Sequence, residues 1–314
     1  MKVPESVRDI PREELFVGGH GLCAGCVAGT IARHLVKMAG PNTIVVSSTS
    51  CVEVSTAFYP YTSWRVPWIH VAFENAAAVA SGIESALKVL ARKGAIDPSR
   101  RINVVVYAGD GGTFDIGLQA LSGMLERGHK VTYVVYDNEA YMNTGIQRSG
   151  ATPPMAWTST TPVGSKVRGK EGRKKDIVAI ALAHGIPYAA TANPAYPLDM
   201  DAKFVRGLSA PGPSLVHVLM PCTTGWRFEP RIGIKLARLA VETGMWINYE
   251  VVEGRLRVTT KVPKRKPVEE YLRLQGRFSH LTPEEIREIQ NTVDREVDRI
   301  NALAGEIAIG PVAR

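Results

Sequence analysis

Short apolar runs alternate with amphipathic helical patterns along most of this chain, and this alternation restricts the possible fold more than any other feature. The apolar runs, rich in Val and Ile, are predicted to be buried strands at 42–47, 102–108, 130–136, 186–190 and 214–219. The helical patterns are predicted to be helices at 28–38, 75–92, 116–126, 176–184 and 231–243. Such alternation indicates the α/β class with a doubly wound, mainly parallel sheet, in which ligands bind beyond the carboxyl ends of the strands.

The composition is that of a globular protein. The 314 residues are 45% hydrophobic and 22% charged, which excludes disordered, collagen-like and coiled-coil chains. The longest apolar runs, 104–108 and 177–183, are far shorter than the roughly 20 residues of a membrane-spanning helix. Residues 1–14 carry charges and prolines throughout, unlike a secretory signal. We therefore expect a cytoplasmic protein without a membrane partner.

Basic residues exceed acidic ones, and part of the excess is local. The net charge is +8, with basic residues concentrated at 166–175 and 261–266. Such a surface favours anionic partners. We interpret the two basic segments as solvated loops. A nucleic-acid partner is not expected, because neither segment has interleaved aromatic residues or a recognised binding motif.

The alternation of apolar runs and helical patterns ends near residue 255, and a basic segment and a charged helix follow. We expect one cofactor-binding domain over 1–255 and a C-terminal extension over 256–314. The extension contains a charged helix at 282–303, with Thr282 as its N-cap and Pro283 at its first position. It is predicted to wrap a partner subunit. Two long loops, 48–69 and 138–175, are predicted docking surfaces.

A glycine-rich motif follows the second predicted strand. It reads Gly109-Asp110-Gly111-Gly112, so that backbone can approach a ligand closely and one carboxylate stands at the strand end. A carboxylate in this position suits a hard divalent cation. Turns often carry the same four residues, so the motif alone is weak evidence.

The next predicted strand is followed by further polar residues that could complete a cation site with Asp110. It runs into Asp137-Asn138-Glu139-Ala140, which places Asn138 at a carboxyl end adjacent to that of Asp110. A carboxylate, an amide oxygen and a nearby backbone carbonyl leave room for diphosphate oxygens around an octahedral Mg²⁺. The sequence therefore predicts a Mg²⁺–diphosphate site at this edge of the sheet.

The combination resembles the thiamine diphosphate fingerprint, and its surroundings resemble one family. GDGGTFDIGLQALSGMLERGHKVTYVVYDNEAYMNTGIQRSGATP, YPYTSWRVPWIHVAFENAAAVASGIE and EEYLRLQGRF are similar to the beta subunit of pyruvate:ferredoxin oxidoreductase (pyruvate synthase), one of the 2-oxoacid:ferredoxin oxidoreductases. The resemblance covers nearly the whole chain. It implies the diphosphate-domain fold of thiamine enzymes, with a C-terminal helical tail.

The resemblance also implies roles for individual residues. Asp110, Asn138 and the carbonyl of Ala140 are expected to hold Mg²⁺, and Asn143 is expected to face the reacting carbon as the catalytic residue. The expected cofactor-binding residues are Gly109, Asp110, Gly111, Gly112, Asn138, Ala140, Asn143 and Thr144.

Four cysteines suggest a metal or redox centre. Cys23 and Cys26 form a CxxC motif ahead of helix 28–38, while Cys51 and Cys222 each follow a predicted strand. In a reducing compartment these residues fit a Cys₄ [4Fe–4S] cluster, a zinc knuckle, or buried or redox-active thiols. The family resemblance favours the cluster, because the matching subunit holds one with this CxxC-C-C spacing.

The expected function follows from the resemblance. It is oxidative decarboxylation of pyruvate to acetyl-CoA and CO₂, with electrons passed through the cluster to ferredoxin. Expected partners are an alpha subunit that contributes the activating glutamate, gamma and delta ferredoxin-like subunits, ferredoxin, and coenzyme A. One alternative is the same chemistry on oxalate or another 2-oxo acid. Remoter alternatives are a non-oxidative thiamine decarboxylase or synthase with a zinc knuckle, and a non-catalytic binding module.

A few other residues invite a functional interpretation. Glu74 resembles an activating glutamate, but we interpret it as a cap of the helix at 75–92. His20 and His70 are interpreted as hydrogen-bonded structural histidines. The aromatic residues of the loop at 48–69 are expected to fill an interface: Tyr59, Tyr61, Trp64 and Trp68. Met142 is expected to pack beside the cofactor.

Overall fold

The structure is a computed structural model and describes residues 2–313. Its strands are Thr43–Ser48 (β1), Trp68–Val71 (β2), Asn103–Gly109 (β3), Thr132–Asp137 (β4), Tyr188–Ala192 (β5), Ser214–Leu219 (β6), Tyr249–Val252 (β7) and Arg255–Val258 (β8). Its α-helices are Ala28–Ala39 (α1), Cys51–Thr56 (α2), Ala76–Arg92 (α3), Leu118–Glu126 (α4), Ile177–Leu182 (α5), Pro197–Ser209 (α6), Thr223–Trp226 (α7), Gly233–Glu242 (α8), Val268–Leu272 (α9) and Pro283–Ala304 (α10).

All eight strands form one sheet in the order β2-β1-β3-β4-β6-β5-β7-β8. The six strands from β2 to β5 in this order are parallel. β7 pairs with β5 in the antiparallel direction, and β8 pairs with β7 in the same way. β3 and β4 are direct neighbours, with Gly109 opposite Tyr136. The predicted mainly parallel α/β sheet is confirmed, and the carboxyl ends of β3 and β4 lie side by side.

The two faces of the sheet are both covered, as expected of a doubly wound fold. In β3, Val104, Val106 and Ala108 belong to one apolar cluster, while Val105 and Tyr107 belong to the other. This is the two-residue period of a strand whose side chains alternate between faces. Burial of each such aliphatic side chain contributes roughly 1.5–3 kcal/mol, so both faces stabilise the sheet.

Several elements were not expected from the sequence. α2 lies inside the segment 48–69, which was predicted to be a loop, and β2 begins at the end of that segment. α6 begins with Pro197 at its first position and buries Met200, Phe204 and Leu208 at helical spacing. The hairpin β7–β8 turns at Glu253 and Gly254, whose φ angles are 48° and 80°.

The C-terminal extension packs on the chain's own core. α10 begins at its predicted cap, with the Glu285 amide donating to Thr282 Oγ1 at 3.3 Å. Val293, Val297 and Ile300 on α10 join the same apolar cluster as β3 and β4, and so does Ile309. The domain boundary at 255 and a contact of 256–314 with a partner subunit stay predictions.

The aromatic residues of segment 48–69 divide into two groups. Trp64 is 4% exposed and packs edge-on against Phe16 with ring centroids 4.8 Å apart, so an interface role is wrong for it. Tyr59 and Tyr61 are 98% and 78% exposed. Within residues 2–313, no helix is long and apolar enough to cross a membrane.

Candidate functional site

The glycine-rich motif lies where β3 passes directly into a helical turn. Gly111 begins a π-helical stretch, Gly111–Ile116, and a Cβ atom on it would lie 2.6 Å from the ring of Tyr141. No larger residue fits there unless Tyr141 moves. Glycine thus allows the Asp110 loop and the loop after β4 to approach each other closely.

Asp110, Asn138 and Ala140 converge at the carboxyl ends of β3 and β4. One atom of the Asn138 side-chain amide lies 2.9 Å from Asp110 Oδ1 and 2.8 Å from the carbonyl oxygen of Ala140. An NH₂ group in that position donates to both oxygens. An Oδ1 atom in that position makes a triangle of oxygens, which requires a cation between them.

The triangle has the dimensions of a magnesium site. Mg²⁺ binds oxygens at 2.0–2.1 Å in an octahedron, so that neighbouring ligands are about 3 Å apart. The distances from the Asn138 amide atom, 2.8 and 2.9 Å, agree with this spacing. The residues therefore fit a Mg²⁺ ion that takes its remaining ligands from a diphosphate.

Asp110 is a buried carboxyl group, 1% exposed. Burial and the nearby charge of Asp137 raise its pKa well above the usual range. Ser149 Oγ donates a hydrogen bond of 2.5 Å to Asp110 Oδ2, on the side away from Asn138. A bound cation would instead favour the ionised carboxylate of Asp110, because it adds positive charge beside it. Ser149 was missed from the sequence, because nothing in its local context pairs it with a residue 39 positions earlier.

The backbone of the Asn138 loop is held from three sides. Trp226 Nε1 donates to the carbonyl oxygen of Asn138 at 2.7 Å. Thr152 Oγ1 donates to the carbonyl oxygen of Glu139 at 2.6 Å, and the Glu139 amide donates to Asp137 Oδ1 at 2.9 Å. Glu139 itself has a φ of 66°, which turns the Ala140 carbonyl towards Asp110.

A cavity of about 230 Å³ opens beside these oxygens. Its apolar side is formed by Phe73, Tyr136, Tyr141 and Met142. Cys51 also lines it. All but one of the predicted cofactor-binding residues line it: Gly109, Asp110, Gly111, Asn138, Ala140, Asn143 and Thr144. The exception, Gly112, is buried. A Cβ atom on it would lie 3.1 Å from the carbonyl oxygen of Phe73.

The four cysteines gather near one end of this cavity. Burial, and then the charges of Cys222 and Cys23, raise the pKa of the Cys26 thiol to about 11. Burial and the charges of Cys222, Cys26 and Cys23 raise that of Cys51 to about 12. Groups influence each other in this way only at short range.

Backbone groups surround two of these thiols. The backbone of Ala28, at the start of α1, lowers the pKa of Cys26 against the effect of burial, and the Gly225 amide donates to Cys222 Sγ at 3.3 Å. A Cβ atom on Gly25, inside the CxxC, would lie 2.6 Å from the carbonyl oxygen of Pro230. The CxxC loop and the segment after Cys222 therefore pack closely together.

Among the described residues, the four thiols are not arranged as a metal site. Over residues 2–313, no group of three or more His, Cys, Asp or Glu side chains is positioned to hold a metal ion. The charges of neighbouring thiols raise the pKa values of Cys26, Cys51 and Cys222, so the four cysteines lie in one neighbourhood. A Cys₄ centre therefore stays a prediction.

Charged side chains lie behind the Asn138 loop and were not expected there. Lys174 Nζ lies 2.6 Å from Asp137 Oδ2 and 2.7 Å from Glu139 Oε1, and His217 Nε2 lies 2.7 Å from Asp137 Oδ2. Burial alone would raise the pKa of Asp137, but Lys174 and His217 outweigh it and hold this pKa at about 2. The solvated-loop interpretation is thus wrong for Lys174. It is also wrong for Lys170 and Arg265, which are 5% and 4% exposed.

The remaining candidates lie away from the oxygen triangle. His70 contacts Thr49 Oγ1 at 2.7 Å and Glu53 at 3.3 Å, which confirms a hydrogen-bonded histidine. His20 stacks on Phe16, and its buried Nδ1 has no hydrogen-bond partner among the described residues. Glu74 is exposed, and the N-cap position of α3 is Asn75, where no side chain caps the helix, so the predicted cap role of Glu74 is wrong.

Sequence comparisons agree with this geometry. Residues 24–218 match the family "Thiamine pyrophosphate enzyme, C-terminal TPP binding domain". Pyruvate synthase subunit PorB of Methanocaldococcus jannaschii is 56% identical, over 92% of this chain and 97% of its own length. Ketoisovalerate oxidoreductase subunit VorB of Pyrococcus abyssi is 46% identical, over 97% of this chain and 99% of its own.

A solved structure shows the same fold at low sequence identity. It is a 2-oxoglutarate:ferredoxin oxidoreductase from Magnetococcus marinus, solved with 2-oxoglutarate, coenzyme A and succinyl-CoA bound. The match has a TM-score of 0.55 and 21% identity, and covers 74% of this chain and 83% of that chain.

Proposed function

Since this chain belongs to the family of beta subunits of 2-oxoacid:ferredoxin oxidoreductases, we propose that its substrate is pyruvate. The reaction is oxidative decarboxylation to acetyl-CoA and CO₂, with electrons passed to ferredoxin. Thiamine diphosphate is the cofactor of this family. The observation that carries the proposal is the convergence of Asp110, Asn138 and the Ala140 carbonyl beside the cavity.

These three residues hold Mg²⁺, and through it the diphosphate of the cofactor. The carboxylate supplies charge, while the amide and carbonyl oxygens complete the protein's share of the coordination. The glycines at 109, 111 and 112 let backbone approach the diphosphate. Thiamine diphosphate, when bound, supplies the chemistry that stabilises the carbon left after loss of CO₂.

Asn143 and Thr144 lie at the exposed end of the cavity. In this position the Asn143 amide nitrogen donates to the substrate's oxygen atoms and orients them at the reacting carbon. Phe73, Tyr141 and Met142 exclude water from the same space. Asn143 is therefore our candidate for the catalytic residue of this chain.

The cysteines Cys23, Cys26, Cys51 and Cys222 hold one [4Fe–4S] cluster. Cys51 lines the same cavity as Asp110, so a cluster held by these cysteines would lie beside the cofactor and would supply one-electron redox chemistry there. The Ala28 and Gly225 amides then serve as hydrogen-bond donors to cluster sulfurs, which tune the potential. Zinc or free thiols are the competing assignments of these residues.

Pyruvate is favoured over other 2-oxo acids by relatedness. The pyruvate synthase relative is 56% identical and the ketoisovalerate relative 46%. Oxalate, whose oxidation needs no coenzyme A, is an alternative, and the basic surface attracts either anionic substrate or an acidic ferredoxin. Steady-state rates of the assembled enzyme on pyruvate, 2-oxoisovalerate and oxalate decide between them. A higher kcat/KM for either alternative would overturn the choice of pyruvate.

The complex contains an alpha subunit that supplies the activating glutamate, with gamma and delta ferredoxin-like subunits completing it. Tyr59 and Tyr61, which are strongly exposed, are the docking residues that we assign to the alpha subunit. We place the complex in the cytoplasm. A non-oxidative thiamine decarboxylase or synthase with a zinc knuckle is the second candidate function.

Anaerobic purification separates the two candidates. A brown protein whose visible absorption is bleached by dithionite contains an iron–sulfur cluster, as we propose. A colourless protein with stoichiometric zinc would favour the non-oxidative enzyme. Thiamine diphosphate must be present in the assembled complex in either case, and its absence would leave only a non-catalytic binding module.

A further inference from the structure

Arg277 places a buried positive charge between the two cofactor regions. It is 2% exposed and lies in the segment Gly276–Phe278 after α9. Its Nη2 donates to Glu139 Oε2 at 2.6 Å, and its Nε donates to Gln275 Oε1 at 2.9 Å. The plane of the guanidinium lies over the indole of Trp226, 3.9 Å from the ring centroid. A buried cation is costly to desolvate, so these contacts must hold it firmly.

One of these contacts reaches the magnesium side. Glu139 lies between Asn138 and Ala140, two of the three candidate Mg²⁺ ligands. Arg277 binds one carboxylate oxygen of Glu139, and Lys174 binds the other at 2.7 Å. With its side chain fixed from both sides, Glu139 keeps the left-handed backbone that aims the Ala140 carbonyl.

The other contact reaches the cysteine side. Trp226 is fully buried and ends the short helix α7, which begins directly after Cys222. Its indole N–H donates to the Asn138 carbonyl, and its backbone amide donates to the Cys222 carbonyl at 3.0 Å. Gly276 also donates to the Arg227 carbonyl at 3.1 Å. Arg277 therefore packs on the residue that joins Cys222 to Asn138.

The charge of Arg277 also lies on the cysteine side, because its guanidinium carbon is 3.9 Å from the centroid of the Trp226 ring and Trp226 ends the four-residue helix that begins after Cys222. The same charge would stabilise a cluster that has gained an electron, because added negative charge is attracted to it.

We propose that Arg277 is a positioning residue that sets the thiamine–Mg²⁺ loop and the Cys222 helix in one common arrangement. This inference rests on the proposed function, since it takes both cofactors as bound. It gives a role to the segment EEYLRLQGRF, which lies far along the chain from both motifs. Arg277 does not line the cavity, so it acts through Glu139 and Trp226 and not on the substrate.

The test uses the enzyme assembled with its partner subunits. We compare Arg277→Met and Arg277→Lys with the control Arg273→Met, whose side chain is 69% exposed and pairs only with Glu269 on α9. Calorimetry measures the Kd of thiamine diphosphate at fixed Mg²⁺, and redox-titrated EPR measures the midpoint potential and line shape of the reduced cluster.

Arg277→Met is expected to weaken thiamine diphosphate binding by about 10- to 100-fold, the effect typical of residues that support metal ligands. It is also expected to lower the midpoint potential and alter the EPR line shape. Arg277→Lys should restore the potential but not the affinity, because Lys carries the charge without the planar fork. The control should match wild type. An Arg277→Met enzyme that changes neither property, or only one, would overturn the inference.

A double-mutant cycle distinguishes positioning from general damage. If Arg277 acts on the cofactor through Glu139, then Glu139→Gln combined with Arg277→Met binds thiamine diphosphate no more weakly than the worse single variant. Losses that multiply would contradict this route. Glu139→Gln also tests the contact alone should Arg277→Met fail to fold. A wild-type enzyme without iron or without thiamine binding would refute the proposed function and leave no cofactor for Arg277 to position.

Discussion

The side-chain amide of Asn138 lies 2.9 Å from Asp110 Oδ1, although the two residues are 28 positions apart in the chain. Parallel pairing of β3 and β4 brings them together, since each residue follows the end of its strand. Without a cation the amide donates to the carboxylate. A Mg²⁺ ion held at this position would take the amide oxygen as a ligand.

Replacement of the central carboxylate removes the charge that compensates the diphosphate. Asp110→Ala is expected to weaken binding of thiamine diphosphate by more than about 100-fold, while the visible spectrum of the cluster persists. Calorimetry with Mg²⁺ and absorption spectroscopy measure the two effects. Asp97→Ala, at an exposed turn, is the matched control. Thiamine diphosphate at full stoichiometry in Asp110→Ala would show that this residue is not a ligand.

Ser149 gives a finer test of the same site. Ser149→Ala removes the hydroxyl that donates to Asp110 Oδ2, leaving that buried oxygen with one donor fewer. We expect the Kd of thiamine diphosphate to rise about 10-fold at fixed Mg²⁺. Ser159→Ala, at an exposed position of the same long loop, should leave the Kd unchanged. Equal constants for the two variants would contradict a supporting role for Ser149.

The cysteine assignment predicts a loss of iron. Cys51→Ser or Cys222→Ser should lower the iron content and abolish reduction of ferredoxin in the assembled enzyme. Release of CO₂ from pyruvate should be better preserved, since it precedes electron transfer. Iron analysis, ferredoxin reduction and isotopic CO₂ exchange measure these effects. One zinc ion and no iron in the anaerobically purified wild-type protein would disprove the cluster.

The ion pairs behind the Asn138 loop predict a stability effect with a defined pH range. Asp137→Asn leaves His217 without its carboxylate partner and Lys174 with Glu139 alone, and should destabilise the chain by about 2–3 kcal/mol at pH 7. The folded pKa of Asp137, about 2, is below the value of 3.8 for an unpaired Asp. Its stabilisation is therefore complete above the unfolded pKa and is lost as the pH falls through the folded one.

Urea unfolding at several pH values measures this difference. The gap between wild type and Asp137→Asn should be constant near neutral pH and should close as the pH falls from about 4 to 2. Asp298→Asn, at an exposed position of α10, serves as the control and should show no gap. A gap that persists undiminished at pH 2 would contradict the assigned pKa.

We further predict that the chain is inactive without its alpha subunit. It supplies Asp110, Asn138 and Ala140 for the Mg²⁺–diphosphate half of the site, but the activating glutamate is expected from the partner. The purified chain should contain the cluster and show no oxidation of 2-oxo acids until the alpha subunit is added. Turnover by this polypeptide alone, near the rate of the complex, would move the search for the glutamate to Glu53 and Glu74.

The sequence predicted the part of the site that depends on strand order. β1, β3, β4 and β6 begin and end within two residues of the predicted positions. Because these strands are fully buried, their Val-rich runs are easy to recognise. Parallel pairing of β3 and β4 then sufficed to place Asp110 beside Asn138.

The supporting side chains could not be predicted in this way. They come from a long loop or from helical turns of three or four residues, which are too short for any periodicity to reveal: Ser149, Lys174, Trp226 and Arg277. Basic residues in a polar segment indicate exposure on average, yet Lys174 is drawn inward by two buried carboxylates. Such pairs are set by tertiary contacts, which local sequence does not encode.

The dependence of the Asn138 loop on Arg277 has a consequence for biosynthesis. The loop and three of the four cysteines leave the ribosome well before residues 276–309, which supply Arg277 and the last apolar side chains of the core. Until that segment emerges, Glu139 lacks one of its two cationic partners. The nascent chain should therefore present cofactor sites that are not yet competent, and both cofactors should be inserted after translation has passed this segment.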